Sequence, residues 1–125
     1  MQFYNARISR LEKGLVEIST RSRQEYTQQD GYVHAGALVT LADSAGGYAT
    51  LSLLPAGSRV PTIQLKLNFL RPASGTIIRG RGHVKKIGRT ISVVEVEARL
   101  KDGRNWATCA WGSPDSLLHR AKIVV

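Results

Sequence analysis

The sequence predicts an α+β fold in which a mainly antiparallel sheet surrounds one long buried helix. The stretch from Val33 to Leu54 is rich in Ala and Leu and is long enough for about five helical turns. The segments before and after it alternate apolar and polar residues, as half-buried strands do. Tight turns rather than further helices separate the later strands, which indicates an antiparallel sheet.

The predicted helix ends before Pro55 and Gly57, neither of which extends a helix. Its apolar residues lie on nearly all sides, which indicates a helix that is buried on most of its surface. One sheet covers only one side of such a helix. We therefore expect a partner subunit to cover the rest, in a homodimer or a dimer of dimers.

Asp43 is the only Asp, Glu, Lys or Arg in the predicted helix. A carboxylate within an apolar helix is costly unless it is paired, hydrogen-bonded or needed for chemistry. A membrane span is disfavoured by this charge and by the Gly46-Gly47 pair. A structural aspartate that caps or pairs inside a soluble core remains an alternative to a functional one.

Two short strands are predicted before the helix. Residues Arg7 to Thr20 alternate apolar and charged side chains, with a turn at Lys13-Gly14. The following segment, Arg21 to Asp30, is polar and favours no regular element.

At least four strands are predicted after the helix. The first, Thr62 to Arg71, is expected to be half-buried, with one apolar face made of Ile63, Leu65, Leu67 and Phe69. The second, Ile77 to Ile87, contains Gly80 and Gly82, which predict a bulge or the close approach of another backbone.

A turn at Gly88-Arg89 leads into the third strand, Thr90 to Leu100. An Asp-Gly pair after it predicts a hairpin into the last strand, Asn105 to Gly112. Trp106 and Trp111 stand five residues apart on that strand, which predicts that they face opposite sides.

The tail from Ser113 is ambiguous. Pro114 is expected to break the strand pattern. Leu117 to Lys122 fits a helical turn, and Ile123 to Val125 fits an edge strand.

The length of 125 residues predicts a single domain over residues 1–125. The net charge is +9, and its excess of Lys and Arg lies from Arg59 onward, which indicates an anionic partner or ligand group. Nucleic acid is not the expected partner, because interleaved exposed aromatics and groove-reading motifs are lacking.

The N-terminal residues contain no apolar run, so we expect no signal peptide, no membrane association and a cytoplasmic location. Cys109 is the single cysteine and is expected to be a small core residue. No metal site is predicted, because His34, His83 and His119 stand far apart without neighbours at ligand spacing.

Three stretches carry a resemblance to a known family. They are GYVHAGALVTLAD at 31–43, LNFLRPA at 67–73 and the GRT turn at 88–90. Together they resemble the PaaI-type acyl-CoA thioesterases of the 4-hydroxybenzoyl-CoA thioesterase superfamily. The resemblance implies the hotdog fold, an antiparallel sheet wrapped around one long central helix. It also implies hydrolysis of a small or medium acyl-CoA, aromatic ones included, with no cofactor other than the coenzyme A of the substrate.

The resemblance implies a role for each matching residue. Backbone N–H groups of Ala35 and Gly36 would polarise the thioester carbonyl, with help from the helix dipole. Asp43 would act from the neighbouring subunit, as a base toward water or as the nucleophile. Thr62 supplies a hydroxyl that helps to hold the water, and Gln28 matches a polar residue six positions before the histidine.

Two positions depart from the family pattern. Ala35 replaces a glycine, and Gln28 replaces the usual asparagine. These departures support an alternative, a non-catalytic hotdog module that binds acyl-CoA. His34 is expected beside the substrate, mainly in a structural role that satisfies backbone groups at the start of the helix.

Basic side chains are expected to contact the phosphates of coenzyme A, because guanidinium and ammonium groups suit phosphate. The foremost candidates are Arg71, Lys86 and Arg89. The same basic set contains Arg79, Arg81 and Lys85.

Overall fold

The computed structural model describes residues 5–27, 31–120 and 122–123. One helix, α1 (Ala35–Leu51), follows two strands and a short 3₁₀ turn at Gln24–Tyr26. The strands are β1 (Arg7–Glu12), β2 (Leu15–Arg21), β3 (Ser58–Arg59), β4 (Thr62–Leu65), β5 (Asn68–Phe69), β6 (Ile77–Ile87), β7 (Ile91–Asp102), β8 (Asn105–Arg120) and β9 (Lys122–Ile123).

The main sheet is antiparallel throughout and has the order β1-β2-β6-β7-β8-β4, with β5 also pairing with β8. Strands β3 and β9 form a separate antiparallel pair. The helix lies against β2, β6 and β7 of the main sheet. The arrangement confirms the predicted α+β class and the predicted order of two strands, one helix and further strands.

The helix approaches the sheet most closely along β6. A Cβ on Gly80 would meet the backbone of Leu41, and one on Gly82 would meet the backbone of Ala45 and Gly46. No residue larger than glycine fits at these two points without moving the helix. The predicted close backbone approach is therefore confirmed.

One face of α1 is buried against the sheet. Its buried residues are Ala37, Leu38, Leu41, Ala42, Ala45, Gly46, Ala49 and Thr50. The opposite face is open in the single chain: Asp43, Ser44 and Gly47 are half-buried, and Tyr48 is 42% exposed. The sheet thus covers one side of the helix, as the sequence predicts, and the cover of the open face by a partner subunit stays a prediction.

The predicted strand Thr62 to Arg71 is interrupted. It forms β4 and β5, which pair with two separate parts of β8. Ile63 and Phe69, expected on its buried face, are 53% and 52% exposed. This segment lies at the margin of the sheet, where a single chain offers little to cover it.

The last strand is longer than predicted, because it continues past Pro114 to Arg120. Between the pairs Val96↔Gly112 and Val94↔Leu117, β8 has four residues where β7 has only Glu95. Pro114 lies within this bulge, where the ladder of hydrogen bonds is interrupted and a missing N–H costs nothing. The proline therefore does not end the strand.

The tail beyond the bulge is extended. A helical turn at Leu117 to Lys122 is wrong, because β8 runs to Arg120. The alternative of an edge strand is confirmed for Ile123, which pairs with Ser58. Val124 and Val125 lie outside the described residues.

Trp106 and Trp111 lie on the same face of the sheet, so the prediction of opposite faces is wrong. They pair with Lys101 and Glu97, which are both on the face of β7 that points away from the helix. A register shift beside Ala98 adds one residue to β8 between the two tryptophans. That extra residue inverts the alternation expected from their spacing.

Candidate active site

Asp43 lies in the middle of the open face of α1. Its Oδ1 accepts a hydrogen bond of 2.6 Å from the Thr62 hydroxyl at the beginning of β4. Within the described part of the chain no Lys or Arg forms an ion pair with Asp43, and no group donates to its Oδ2. The Thr62 hydroxyl thus fixes Oδ1 of Asp43, and Oδ2 is available to a water molecule or a substrate.

The Asp43 carboxylate opens into a cavity of about 260 Å³. The cavity is lined by Asp43, Ser44, Gly47, Tyr48, Leu51, Val60 and Thr62. Its wall combines the one acid, hydroxyl groups and apolar side chains. An aspartate that served only to cap or pair within the core would not face such an opening, so the geometry disfavours the structural alternative.

The beginning of α1 forms a second locus. Ala35 and Gly36 are exposed, and among the described residues their N–H groups have no acceptor. The first amides of any helix lack partners within the helix and carry the positive end of its dipole. They are therefore suited to a developing negative charge.

Backbone hydrogen bonds to two separate parts of the chain fix the beginning of α1. The Val33 amide donates to the Ala73 carbonyl at 2.8 Å, and the His34 amide donates to the Tyr26 carbonyl at 2.6 Å. A cavity of about 370 Å³ adjoins it. That cavity is lined by Val33, Ala35, Leu38, Phe69, Leu70, Arg71, Pro72 and Ala73.

The two loci are far apart within one chain. Eight residues separate Ala35 from Asp43, which is about 12 Å along the helix axis at about 1.5 Å per residue. The two cavities share no lining residue. One thioester carbonyl thus cannot contact both the amides and the acid of the same chain.

The family model of the Thioesterase superfamily matches residues 30–107. The chain belongs to the Thioesterase superfamily. The match spans the helix, the hydroxyl at the beginning of β4 and most of the sheet, so it includes both loci.

Individual proteins support the assignment. The proofreading thioesterase EntH of Klebsiella pneumoniae is 30% identical over 105 residues, which are 84% of this chain and 77% of that protein. A crystal structure of a thioesterase family protein from Silicibacter pomeroyi has 35% identity and a TM-score of 0.85, covering 97% of this chain and 85% of that one. This likeness confirms the hotdog fold and, with the family match, makes the chain a thioester hydrolase.

A second solved structure shares the fold alone. It is a protein from Streptococcus mutans, solved bound to acetyl CoA, with 23% identity and a TM-score of 0.77. It covers 96% of this chain and 90% of its own.

His34 occupies the position before the first residue of α1. Its side chain is exposed and makes no capping hydrogen bond. The expectation that the imidazole satisfies backbone groups at the start of the helix is wrong. The backbone amide of His34, which donates to the Tyr26 carbonyl, fixes this position instead. Gln28, the other residue expected near this end, lies outside the described residues.

The basic residues of this superfamily member lie in three places. Arg71 lines the cavity at the beginning of the helix. Lys86 and Arg89 are exposed near the other end, where β6 passes the end of α1 and turns into β7. Arg79 and Arg81 lie on the outer face of the sheet and form ion pairs of 3.7 and 3.8 Å with Glu17.

Tyr48 and Ser44 are lining residues that the sequence reasoning did not assign to the site. The sequence contains a signal for the position of Ser44. Thr40, Asp43, Ser44 and Gly47 follow the spacing i, i+3, i+4, i+7. This stripe of polar and small residues marks one face of a helix as open rather than buried.

Two titratable groups away from the site have shifted pKa values. Burial raises the pKa of the Cys109 thiol, which is 2% exposed, so Cys109 is the core residue expected from the sequence. Burial lowers the pKa of His83, and the nearby Lys85 and Arg81 lower it further. Within the described residues, no three His, Cys, Asp or Glu side chains cluster as metal ligands would, and no helix is long and apolar enough to cross a membrane.

Proposed function

We propose that the chain hydrolyses an acyl-CoA thioester to a free acid and coenzyme A. The observation that carries the proposal is the carboxylate of Asp43, held by Thr62 and open to a cavity on an otherwise apolar helix. Membership of the Thioesterase superfamily supports the reaction class. The acetyl CoA bound by the Streptococcus mutans protein of the same fold suggests coenzyme A as the thiol part.

Asp43 acts on the water or on the carbonyl carbon. As a base, it takes a proton from water while the water oxygen bonds to the carbonyl carbon. The carbon–sulfur bond then breaks, and the thiolate leaves and takes up a proton. As a nucleophile, Asp43 displaces the thiolate first, and water then hydrolyses the resulting anhydride. In both routes Thr62 orients the carboxylate, and the family resemblance assigns Gln28 a catalytic role as a further polar residue.

The amides of Ala35 and Gly36 stabilise the oxyanion that forms in either route. They point from the exposed first turn of α1 and have no acceptor among the described residues. Donors fixed in advance at the site of developing charge are among the largest contributors to such reactions. Ala35 retains the N–H of the glycine it replaces, so the substitution leaves this contribution intact.

The active site is shared between two subunits. The 12 Å or so between Ala35 and Asp43 in one chain is bridged if each acid meets the helix beginning of a partner, as a twofold axis permits. Exposed apolar side chains lie near both loci and provide area for such an interface. They include Tyr48, Ile63, Phe69 and Leu70.

Coenzyme A binds through basic residues at both ends of the helix. Arg71 adjoins the carbonyl locus, and His34 lies beside it at the mouth. Lys86 and Arg89, at the opposite end in one chain, reach the nucleotide phosphates from the partner subunit. Arg79 and Arg81 are excluded from this role, because they pair with acids on the outer face.

The acyl group enters the cavity beside Asp43. Its volume of about 260 Å³ and its lining by Tyr48, Leu51 and Val60 suit a small or medium acyl group, aromatic ones included. Coenzyme A is part of the substrate, and no separate cofactor takes part.

The direct test is thiol release from a panel of acyl-CoAs, from acetyl to lauroyl together with benzoyl and phenylacetyl. We expect saturable turnover with at least one small or medium substrate. The Asp43→Asn protein, shown to be folded by circular dichroism, serves as the matched control for contaminating activity. Turnover that is equal in the two proteins, or absent across the panel, would contradict the proposal.

A further inference from the structure

The outer face of the sheet carries a third cavity, which is larger than the other two. It measures about 720 Å³ and is lined by Asn5, Arg7, Ile8, Ser9, Ser19, Thr20, Arg21, Ser22, Arg23 and Ile77. Ser19 and Arg21 alternate along β2 with the buried Ile18 and Thr20, which face the helix. The cavity therefore lies on the opposite side of the sheet from α1 and shares no residue with the active-site cavities.

The cavity carries an uncompensated positive charge. Three of its lining residues are arginines and none is acidic. Among the carboxylates whose side chains the structure describes, none forms an ion pair with Arg7, Arg21 or Arg23. The neighbouring arginines of the same face differ, because Arg79 and Arg81 are paired with Glu17. Three like charges around one concavity repel one another, and a bound anion would relieve the repulsion.

Hydrogen bonds fix the floor and the rim of the cavity. The Ser9 and Ser19 hydroxyls lie 2.8 Å apart and are hydrogen-bonded, and Arg79 Nε donates to Ser19 Oγ at 3.1 Å. This chain of contacts fixes the floor of the cavity. The rim is fixed as well, because the Ser22 amide between Arg21 and Arg23 donates to the Thr76 carbonyl at 2.9 Å.

Guanidinium groups match a phosphate with paired N–H donors. The size of the cavity and its apolar lining indicate a ligand larger than a bare ion. Ile77 pairs with Arg21 and supplies an apolar part of the wall. A volume of this order is typical of sites for small organic ligands.

We propose that this cavity binds a small organic phosphate monoester, of about the size of a nucleoside monophosphate. The phosphate lies between Arg7, Arg21 and Arg23, and the organic part lies against Ile77. The site is separate from the thioester site. It accounts for part of the +9 charge that the active site does not use.

The test is calorimetric titration of the full chain with adenosine 5′-monophosphate, inorganic phosphate and adenosine in a low-salt buffer. We expect saturable binding of the nucleotide, at least about tenfold weaker binding of phosphate and none of adenosine. Replacing Arg21 or Arg23 by Gln should weaken nucleotide binding by about tenfold or more, the scale of a charged hydrogen bond. Arg21→Lys keeps the charge but loses the paired donors. Its nucleotide affinity should lie between those of the unmodified chain and of Arg21→Gln.

The matched control is Lys13→Gln. It removes one positive charge from the exposed turn at the other end of the β1–β2 hairpin, outside the cavity. Its nucleotide affinity should equal that of the unmodified chain, and all variants should keep the same thermal unfolding midpoint. Equal weakening by Lys13→Gln and Arg21→Gln would overturn the proposal, because binding would then follow net charge alone. Phosphate binding as tight as nucleotide binding, or no saturable nucleotide binding, would overturn it as well.

Discussion

Asp43 has the surroundings expected of a candidate catalytic acid. Its Oδ1 accepts a hydrogen bond from a hydroxyl rather than from a cation, and the residue lines a cavity. An aspartate that served only to pair within the core would lie on the buried face of α1, whereas Asp43 lies on the open face. These observations support the proposed role of Asp43 as the base or the nucleophile.

Replacing Asp43 by Asn tests this assignment. The amide has nearly the same size and still accepts the Thr62 hydrogen bond through its oxygen, so the fold should be kept. It can neither take a proton nor attack, and we expect kcat to fall about 10²-fold or more. Steady-state thiol release with the best acyl-CoA measures the change. Turnover like that of the unmodified chain would remove Asp43 from the mechanism.

Ala35 allows the amide contribution to be tested separately. The residue before it, His34, has φ −59° and ψ 140°, which is the conformation that precedes a proline, and the first helical position tolerates proline. Ala35→Pro removes the N–H and should lower kcat about 10²-fold, as loss of one oxyanion donor does. Ala35→Gly keeps the N–H and should retain activity. Similar kcat values for the two variants would show that this amide plays no part.

The sequence alone singled out these candidate site residues but not their surroundings. Asp43 stood out because it was the one charge in an apolar helix, and Thr62 was matched through the resemblance. The spacing of Trp106 and Trp111 gave a wrong prediction, because one extra residue in a strand turns each following side chain to the other face. The alternation of apolar and polar residues in the sequence does not show where such an extra residue lies.

Among the elements, the position of α1 depends on two points of β6 that carry no side chain. Gly80 and Gly82 let the backbone of α1 lie directly on the strand. This contact sets the height of the helix above the sheet. It therefore also sets the position of Asp43 relative to Thr62.

Gly82→Ala should lower the free energy of unfolding by about 3 kcal/mol, in the range of overpacked cores, because the added methyl would meet the backbone of Ala45 and Gly46. Gly36→Ala is the matched control. It lies in the same helix with nothing within 4 Å of the added methyl, and alanine favours a helix by up to about 1 kcal/mol. Urea unfolding should show a loss for the first variant and none for the second. Equal stability of the two variants would contradict the close packing.

The order and type of the elements could be predicted from periodicity, whereas the breaks in them could not. The pattern from Thr62 to Arg71 reads as one strand, yet the β8 bulge around Pro114 divides its pairing into β4 and β5. The division into two strands results from pairing with β8, which lies far along the chain. The alternation of residues 62–71 carries no information about the irregularity of β8.

For the whole molecule, the basic residues assigned to coenzyme A lie at both ends of the helix. Arg89→Ala should raise KM for acyl-CoA about tenfold with little change in kcat, because phosphate contacts are equally strong in ground and transition states. An acyl-pantetheine, which lacks the nucleotide, should show no such increase. Arg104→Ala, also exposed, serves as the control. An unchanged KM for acyl-CoA in the Arg89 variant would free that residue from the role.

Mixing two inactive variants shows whether two subunits share each active site. Asp43→Asn keeps the amides and lacks the acid, whereas Ala35→Pro keeps the acid and lacks one amide. If each site combines the acid of one subunit with the amides of the other, a mixed dimer contains one complete site. Random reassembly should then restore about one quarter of the unmodified activity per subunit.

The variants are co-refolded in equal amounts, and thiol release is compared with that of each variant refolded alone. We predict activity near one quarter for the mixture and almost none for either variant by itself. Activity of the mixture that equals the mean of the two variants, with both folded and dimeric, would contradict a shared site.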